Sequence, residues 1–194
     1  MAASSGPEPA PAARLQAEVG RLLKSQVVDY RYTPGGWSVS ARGVLTLAGG
    51  RTVFAKLGDV PDTARALRDE IGAYRLLGPR PFMPRLIAAD PEVPVLVVED
   101  LSRAVRVPPW TERSLRDFHR LCDELASTPA PAGLPALQSE IEGDGWERVA
   151  LDPVVAGRVL PPAWLERNLP ALREAQRNAD AEGSSLVHTD LRSD

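Results

Sequence analysis

The last nine residues of the chain hold its most informative arrangement of reactive side chains. The sequence predicts a short closing strand, Ser185–Thr189, and places His188 and Asp190 where that strand ends. This layout presents one carboxylate, a group that general acid–base catalysis uses, at the mouth of a cleft. The spacing alone is weakly specific, because His188 at a strand end and Asp190 in a turn also have ordinary structural explanations.

Lys56 is the second candidate, because lysine is rare in this chain. Only Lys24 and Lys56 are lysines, and arginine carries the remaining positive charge. Alternation along the predicted strand Arg51–Leu57 puts Phe54 and Lys56 on one face and three apolar residues on the other. A lysine in such a strand either reaches solvent from an edge or is a functional cation in a cleft. Arginine does not replace lysine where a compact charge is required.

Glu70 is the expected partner of Lys56. The predicted helix over residues 62–77 has an apolar stripe made of Leu67, Ile71 and Tyr74. Glu70 flanks this stripe, and a carboxylate at the edge of a buried face requires a partner, because breaking a buried pair costs about 3–5 kcal/mol. We therefore expect Lys56 Nζ within about 4 Å of a Glu70 carboxylate oxygen. The alternative is that Glu70 turns to water beside Arg68 or Arg75.

Two further segments offer backbone groups. Gly35 and Gly36 permit the chain to pass close over phosphates and to donate N–H groups to them, although they also suit a simple hairpin turn. Val95–Glu99 predicts a buried strand that continues through Leu101 into a polar segment. A linker at this position can present one carbonyl and one N–H to the edge of an adenine base.

The apolar pattern predicts five strands with one helix inserted after the third, a β-β-β-α-β-β order. The strands are predicted at Val27–Thr33, Trp37–Leu47, Arg51–Leu57, Arg85–Ala89 and Val95–Glu99. A helix at Arg14–Lys24 precedes them, and Gly49-Gly50 marks a hairpin turn. The inserted helix is expected to have Asp62 or Thr63 as its N-cap and to end at Gly78.

The second part of the chain is predicted to be helical. After Pro108-Pro109 the pattern predicts a helix at Trp110–Ala126 that is capped near Thr111. A proline-rich connector, Thr128–Pro135, separates it from further helical segments that extend to about Ala181.

Composition excludes several classes of function. The net charge of -3 provides no electrostatic surface for nucleic acid or an anionic membrane. No apolar run approaches the roughly 20 residues that span a bilayer. Residues 1–13 lack the features of a signal peptide and are interpreted as a disordered tail. Because Cys122 is the only cysteine, no intrachain disulfide can form, and we expect a reducing compartment, the cytoplasm. We also expect a monomer that binds neither nucleic acid nor membrane.

The order of these features resembles a known family. The features follow one another along the chain in this order: a glycine turn, a strand lysine, a helix glutamate, an apolar strand that enters a linker, helices, and Leu-Val-His-Thr-Asp-Leu at 186–191. This order resembles the aminoglycoside phosphotransferase-like family, small-molecule kinases that share the protein-kinase fold. The resemblance covers residues 33–194 and is most specific at 186–191, then at 54–56 together with Glu70.

The resemblance implies an α+β, protein-kinase-like fold with two lobes. The nucleotide-binding N-lobe would comprise residues 14–101, with a five-stranded antiparallel sheet and one inserted helix. A linker at 102–109 would lead to a partial helical C-lobe at 110–194 that ends in the catalytic loop.

The resemblance also assigns roles in nucleotide binding. Lys56 would hold the α- and β-phosphates of ATP and pair with Glu70. The turn at Gly35 and Gly36 would cover the phosphates. Backbone groups of Glu99 and Leu101 would contact adenine.

For catalysis, the resemblance implies that Asp190 is the base for a small hydroxylated acceptor and that His188 is a structural residue of the catalytic loop. Thr189 stands where the family more often has glycine, and Phe54 is large for a residue that should face adenine. The two Mg²⁺ ligands of the family, an Asn and a later Asp, have no counterpart up to Asp194. We therefore expect a truncated chain with an incomplete C-lobe and negligible turnover.

Two alternatives remain open at this point. The first is a kinase-like nucleotide-binding or scaffold module that does not catalyse. The second is a metal-binding protein built on His188 and Asp190, which is disfavoured because the other histidine, His119, lies in a different predicted element and no cysteine cluster exists.

Overall fold

The computed structural model describes residues 10–33, 41–104, 107–137, 145–152, 160–179 and 182–188. Their helices and strands, in chain order, are α1 (Pro11–Leu23), β1 (Val27–Tyr32), β2 (Ala41–Leu47), β3 (Thr52–Leu57), α2 (Pro61–Leu77), β4 (Leu86–Asp90), β5 (Val95–Glu99), α3 (Glu112–Ser127), α4 (Gly145–Leu151) and α5 (Pro162–Asn178).

The strands form one antiparallel sheet in the order β1-β2-β3-β5-β4. In the sequence, α2 lies between β3 and β4, so the predicted β-β-β-α-β-β order is confirmed. Gly49 and Gly50 turn the chain between β2 and β3 with φ values of 98° and 83°, a region that favours glycine. The protein therefore has the predicted α+β class, with a five-stranded sheet and one inserted helix.

Each face of the sheet packs against a different helix. α1 covers one face, where the buried core is made of Leu15, Val19, Ala41, Leu45, Leu47, Val53, Ala55, Leu57, Val95 and Val97. α2 covers the other face, where Leu67 and Ile71 pack on Leu96 and Val98. Because side chains alternate along β3, Lys56 lies on the α2 side of the sheet.

The connection from β3 to α2 is tight at Gly58. A Cβ atom on this residue would lie 2.5 Å from the Ala64 Cα and 2.8 Å from the Thr63 carbonyl oxygen. Glycine therefore lets the first turn of α2 approach the end of β3, which brings the helix over the strand that carries Lys56.

Two helix boundaries differ from the prediction. α1 begins at Pro11 rather than Arg14, so its first residues, expected in the tail, are helical. The N-cap of α2 is Val60 rather than Asp62 or Thr63. In both helices a proline occupies the first helical position, where its missing N–H is not needed.

The closing strand predicted at Ser185–Thr189 is wrong for the part of it that the structure describes. Ser185 pairs with Pro129 in a single antiparallel bridge instead. The facing segment is rich in proline, and because proline has no N–H, it cannot extend a ladder of hydrogen bonds. The last predicted residue, Thr189, lies outside the described residues.

The described residues divide into two compact units: those between 10 and 125 together with His188 form the first, and those between 126 and 187 form the second. In the second unit α4 and α5 pack together, and Glu147 of α4 accepts hydrogen bonds from Arg173 and Arg177 of α5. Across the described ranges, no helix is both long and apolar enough to cross a membrane.

Candidate functional site

A cavity of about 370 Å³ lies on the face of the sheet that α2 covers. Residues from β1, β2, β3, α2, β5 and the segment after β5 line it, and all of them belong to the first unit. Four of the residues predicted for the site, Lys56, Glu70, Glu99 and Leu101, are in this lining. The sheet and α2 therefore bring together residues that are far apart in the sequence.

Lys56 and Glu70 form an ion pair at the wall of the cavity. Lys56 Nζ donates hydrogen bonds to Glu70 Oε1 at 2.8 Å and to Oε2 at 3.0 Å. The two side chains are 32% and 35% exposed, so the pair is partly shielded from solvent but still borders the cavity. The predicted contact is confirmed. The carboxylate holds the ammonium group at a position where it can meet an anionic ligand.

The middle of the cavity is apolar. The cross-strand register places Val44, Phe54 and Val98 in one row on this face of the sheet, and Arg31 of β1 continues the row. The Phe54 ring is half-buried and lines the cavity. These side chains provide an apolar surface that suits an aromatic ring of a ligand.

Glu99 and Leu101 border the cavity where β5 leads into the following segment. Glu99 Oε1 accepts a hydrogen bond from the Arg85 N–H at 2.8 Å, so the Glu99 side chain is turned toward the start of β4. The Leu101 carbonyl accepts one from the Ala104 N–H at 2.9 Å. Both residues therefore border the cavity, and their predicted backbone contacts with a base stay a prediction.

Asp100 lies between Glu99 and Leu101, and Ser102 follows Leu101. Both also line the cavity, and neither was predicted. The Asp100 carboxylate accepts hydrogen bonds from the Ser102 N–H and from the Ser102 hydroxyl, both at 2.9 Å. Burial raises the pKa of Asp100, but the bonds from Ser102, a bond from Thr52 and the charge of Arg31 together lower it below its ordinary value. An Asp-x-Ser pair directly after an apolar strand was the signal that could have identified them.

Tyr74 lies one helical turn after Glu70 and lines the same cavity. Burial of the phenol is the largest cause that raises its pKa to about 12, and the nearby carboxylates of Glu70 and Glu99 contribute less. Tyr74 and Glu99 also line a second cavity of about 650 Å³. The phenol therefore stands between two cavities in its neutral form.

Thr33 is a further site residue that the sequence did not indicate. Its Oγ1 is buried and has no hydrogen-bond partner among the residues that the structure describes. The residue lines the cavity at the end of β1. A buried hydroxyl without a partner is energetically costly, so it is a candidate to bond a ligand.

The remaining predicted residues are separate from this cavity or cannot be placed. Gly35, Gly36 and Asp190 lie outside the described residues. His188 is described, but it is exposed and is not among the residues that line the cavity. The part of the prediction that concerns catalysis therefore stays a prediction.

Comparison with known proteins extends this picture at the level of fold. No family model matches the sequence, and no curated protein matches it. Among solved structures, the ternary complex of streptomycin, ATP and APH(2″)-IIa matches with a TM-score of 0.53 at 12% sequence identity. The match covers 88% of this chain and 60% of that chain.

The chain therefore has a protein-kinase-like fold. The fold that the motifs predicted is confirmed, and at 12% identity the likeness establishes the fold alone. A protein from Thermobifida fusca YX-ER1 assigned as a fructosamine-3-kinase also matches, at 20% identity over 85% of this chain. Its TM-score of 0.44 is too low to establish a shared fold. The chain spans 60% and 63% of the lengths of these two structures.

Proposed function

We propose that the cavity binds ATP and that the protein transfers the γ-phosphate of ATP to a hydroxyl group of a small molecule. The observation that carries this proposal is the Lys56–Glu70 ion pair at the wall of a partly apolar cavity. The protein-kinase-like fold supports it, because a strand lysine paired with a helix glutamate holds nucleotide phosphates in that fold.

The cavity suits the two chemically different ends of a nucleotide. The Lys56 ammonium group would donate to oxygens of the α- and β-phosphates, and Glu70 would keep it in place. The row of Val44, Phe54 and Val98 would pack on the base. The backbone of Glu99 and Leu101 would meet the edge of the base, and the turn at residues 35–36 would cover the phosphates.

Asp190 is proposed as the base that orients the acceptor hydroxyl and takes its proton, and His188 as a residue that supports the catalytic loop. Phosphoryl transfer depends mostly on positioning and on charge stabilisation. Mg²⁺ supplies part of that stabilisation in such enzymes. Because the described residues contain no group of three His, Cys, Asp or Glu side chains that could hold a metal, we assign the ion to no residue.

Calorimetric titration of the protein with ATP tests nucleotide binding. Lys56→Met should weaken ATP binding about tenfold or more, because a hydrogen bond to a charged group is lost. Lys24→Met is the matched control, since Lys24 is exposed at the end of α1, and it should bind ATP like the wild type. Equal affinity in wild type and Lys56→Met would refute the assignment of the cavity.

Release of ADP in the presence of a panel of hydroxylated small molecules tests transfer. For the full-length protein we expect acceptor-dependent release that Lys56→Met and Asp190→Ala both abolish, whereas the turnover expected of residues 1–194 alone is negligible. ATP binding without release for any acceptor would instead support a nucleotide-binding module that does not catalyse.

A further inference from the structure

Asp100 is a fixed carboxylate at one end of the candidate nucleotide cavity. It follows β5 directly, lines the cavity and is half-buried. Ser102 holds both of its oxygens, with the Ser102 N–H on Oδ1 and the Ser102 hydroxyl on Oδ2, each at 2.9 Å. Because both bonds come from one residue two positions away, the orientation of the carboxylate is set locally and does not depend on a ligand.

The carboxylate keeps capacity for a ligand. An ionised carboxylate offers about four acceptor positions, and the two bonds from Ser102 and the one from Thr52 leave about one of them for a ligand. Hydrogen bonds from Ser102 and Thr52 and the charge of Arg31 favour the ionised form over the effect of burial. A donor group of a ligand in the cavity would therefore meet a charged and oriented acceptor.

The position of Asp100 relative to Lys56 indicates which part of a nucleotide it would meet. Lys56 of β3 pairs with Leu96 of β5 across the sheet, and Asp100 lies four residues after Leu96 in the direction of β5. At about 3.3 Å per residue, the two positions are roughly 13 Å apart along the strand. If Lys56 holds phosphates, Asp100 is at the nucleoside end.

We propose that Asp100 selects the nucleoside by accepting a hydrogen bond from one of its donor groups, either the amino group of the base or a ribose hydroxyl. This inference rests on the proposed function, since it assumes that the cavity holds a nucleotide. Both kinds of donor have the same chemistry, a neutral N–H or O–H that bonds to a carboxylate.

The test compares Asp100→Asn with wild type for binding of ATP, inosine triphosphate, 2′-deoxy-ATP, 3′-deoxy-ATP and inorganic tripolyphosphate. Asparagine keeps the shape and can still accept from the Ser102 N–H, so the fold is expected to remain. The loss of a charged acceptor should weaken ATP binding about tenfold, and tripolyphosphate binding should not change. Asp69→Asn is the matched control, because Asp69 is exposed on α2 and does not line the cavity.

A nucleotide that wild type and Asp100→Asn bind with equal affinity lacks the donor group that Asp100 contacts, and so identifies it. Equality for inosine triphosphate assigns the base amino group, and equality for one of the deoxynucleotides assigns the corresponding hydroxyl. Equal ATP affinity in wild type and Asp100→Asn, with Lys56→Met still impaired, would overturn this inference alone. Failure of the wild-type protein to bind any nucleotide would overturn the proposed function as well.

Discussion

Lys56 and Glu70 lie in a pair whose energetic value for folding is small. Both side chains are about one-third exposed, and pairs that water still reaches contribute about 0–1 kcal/mol to the free energy of unfolding. The sequence nevertheless places one of its two lysines there and holds it with two hydrogen bonds. A role in binding an anion accounts for this arrangement better than a role in stability does.

Thr33 allows a test of the cavity that does not depend on catalysis. Replacing Thr33 by Val removes a buried hydroxyl that has no partner among the described residues and keeps the branched shape. The ligand-free protein should therefore become more stable, by up to about 1 kcal/mol, because the cost of desolvating the hydroxyl disappears. Urea denaturation measures the change, with Thr33→Ser as the control that keeps the hydroxyl. A clear loss of stability in Thr33→Val alone would mean that the hydroxyl bonds within the protein.

Tyr74 gives a prediction for alkaline pH. Burial, with Glu70 and Glu99 nearby, raises its pKa from 10.0 to about 12. The folded state thus holds the phenol proton more tightly than the unfolded state does. The contribution of Tyr74 to the free energy of unfolding is therefore fully present below pH 10 and is lost as the pH rises toward about 12. Denaturation experiments across this range should show a shallower pH dependence for Tyr74→Phe than for wild type. Identical slopes would contradict the assigned environment of Tyr74.

At the scale of helices and strands, the sequence predicted most of what positions the site. Alternation along β3 identified the face of Lys56, and the apolar stripe of α2 placed Glu70 beside it, because these patterns follow directly from strand and helix geometry. The closing strand at Ser185 failed because strand formation depends on the partner segment, which is rich in proline. Asp100 was missed because its role depends on a cavity that only the assembled sheet creates.

Gly58 couples the strand of Lys56 to the helix of Glu70, which gives a prediction at the same scale. In Gly58→Ala the new Cβ would lie 2.5 Å from the Ala64 Cα, so α2 must shift. We expect a loss of about 1–3 kcal/mol in the free energy of unfolding and weaker ATP binding. Gly72→Ala is the matched control in α2, since no atom lies within 4 Å of its added Cβ. It should be neutral or stabilising by about 1 kcal/mol. Equal effects of the two substitutions on ATP binding would contradict the proposed coupling.

At the scale of the whole molecule, the described residues form two units, and the candidate cavity lies in the first. All residues that line the candidate nucleotide cavity belong to the first unit, and the ion pairs between α4 and α5 belong to the second. The sequence predicted helices in the second part of the chain from their apolar spacing. The resemblance also implied two lobes joined by a linker at 102–109, and that division stays a prediction.

Amide hydrogen exchange in the presence of ATP tests whether binding belongs to the first unit. A ligand that binds only the native state stabilises the region whose opening releases it, by about 2.7 kcal/mol at a concentration 100 times the dissociation constant. Exchange should therefore slow in β3, α2 and residues 99–102. It should not change in α4 and α5. In Lys56→Met the slowing should be smaller, because a tenfold weaker affinity lowers the stabilisation at the same ATP concentration to about 1.4 kcal/mol. Equal slowing in α4 and α5 would mean that the two units open as one, whereas slowing confined to them would place the nucleotide outside the cavity of Lys56 and Glu70.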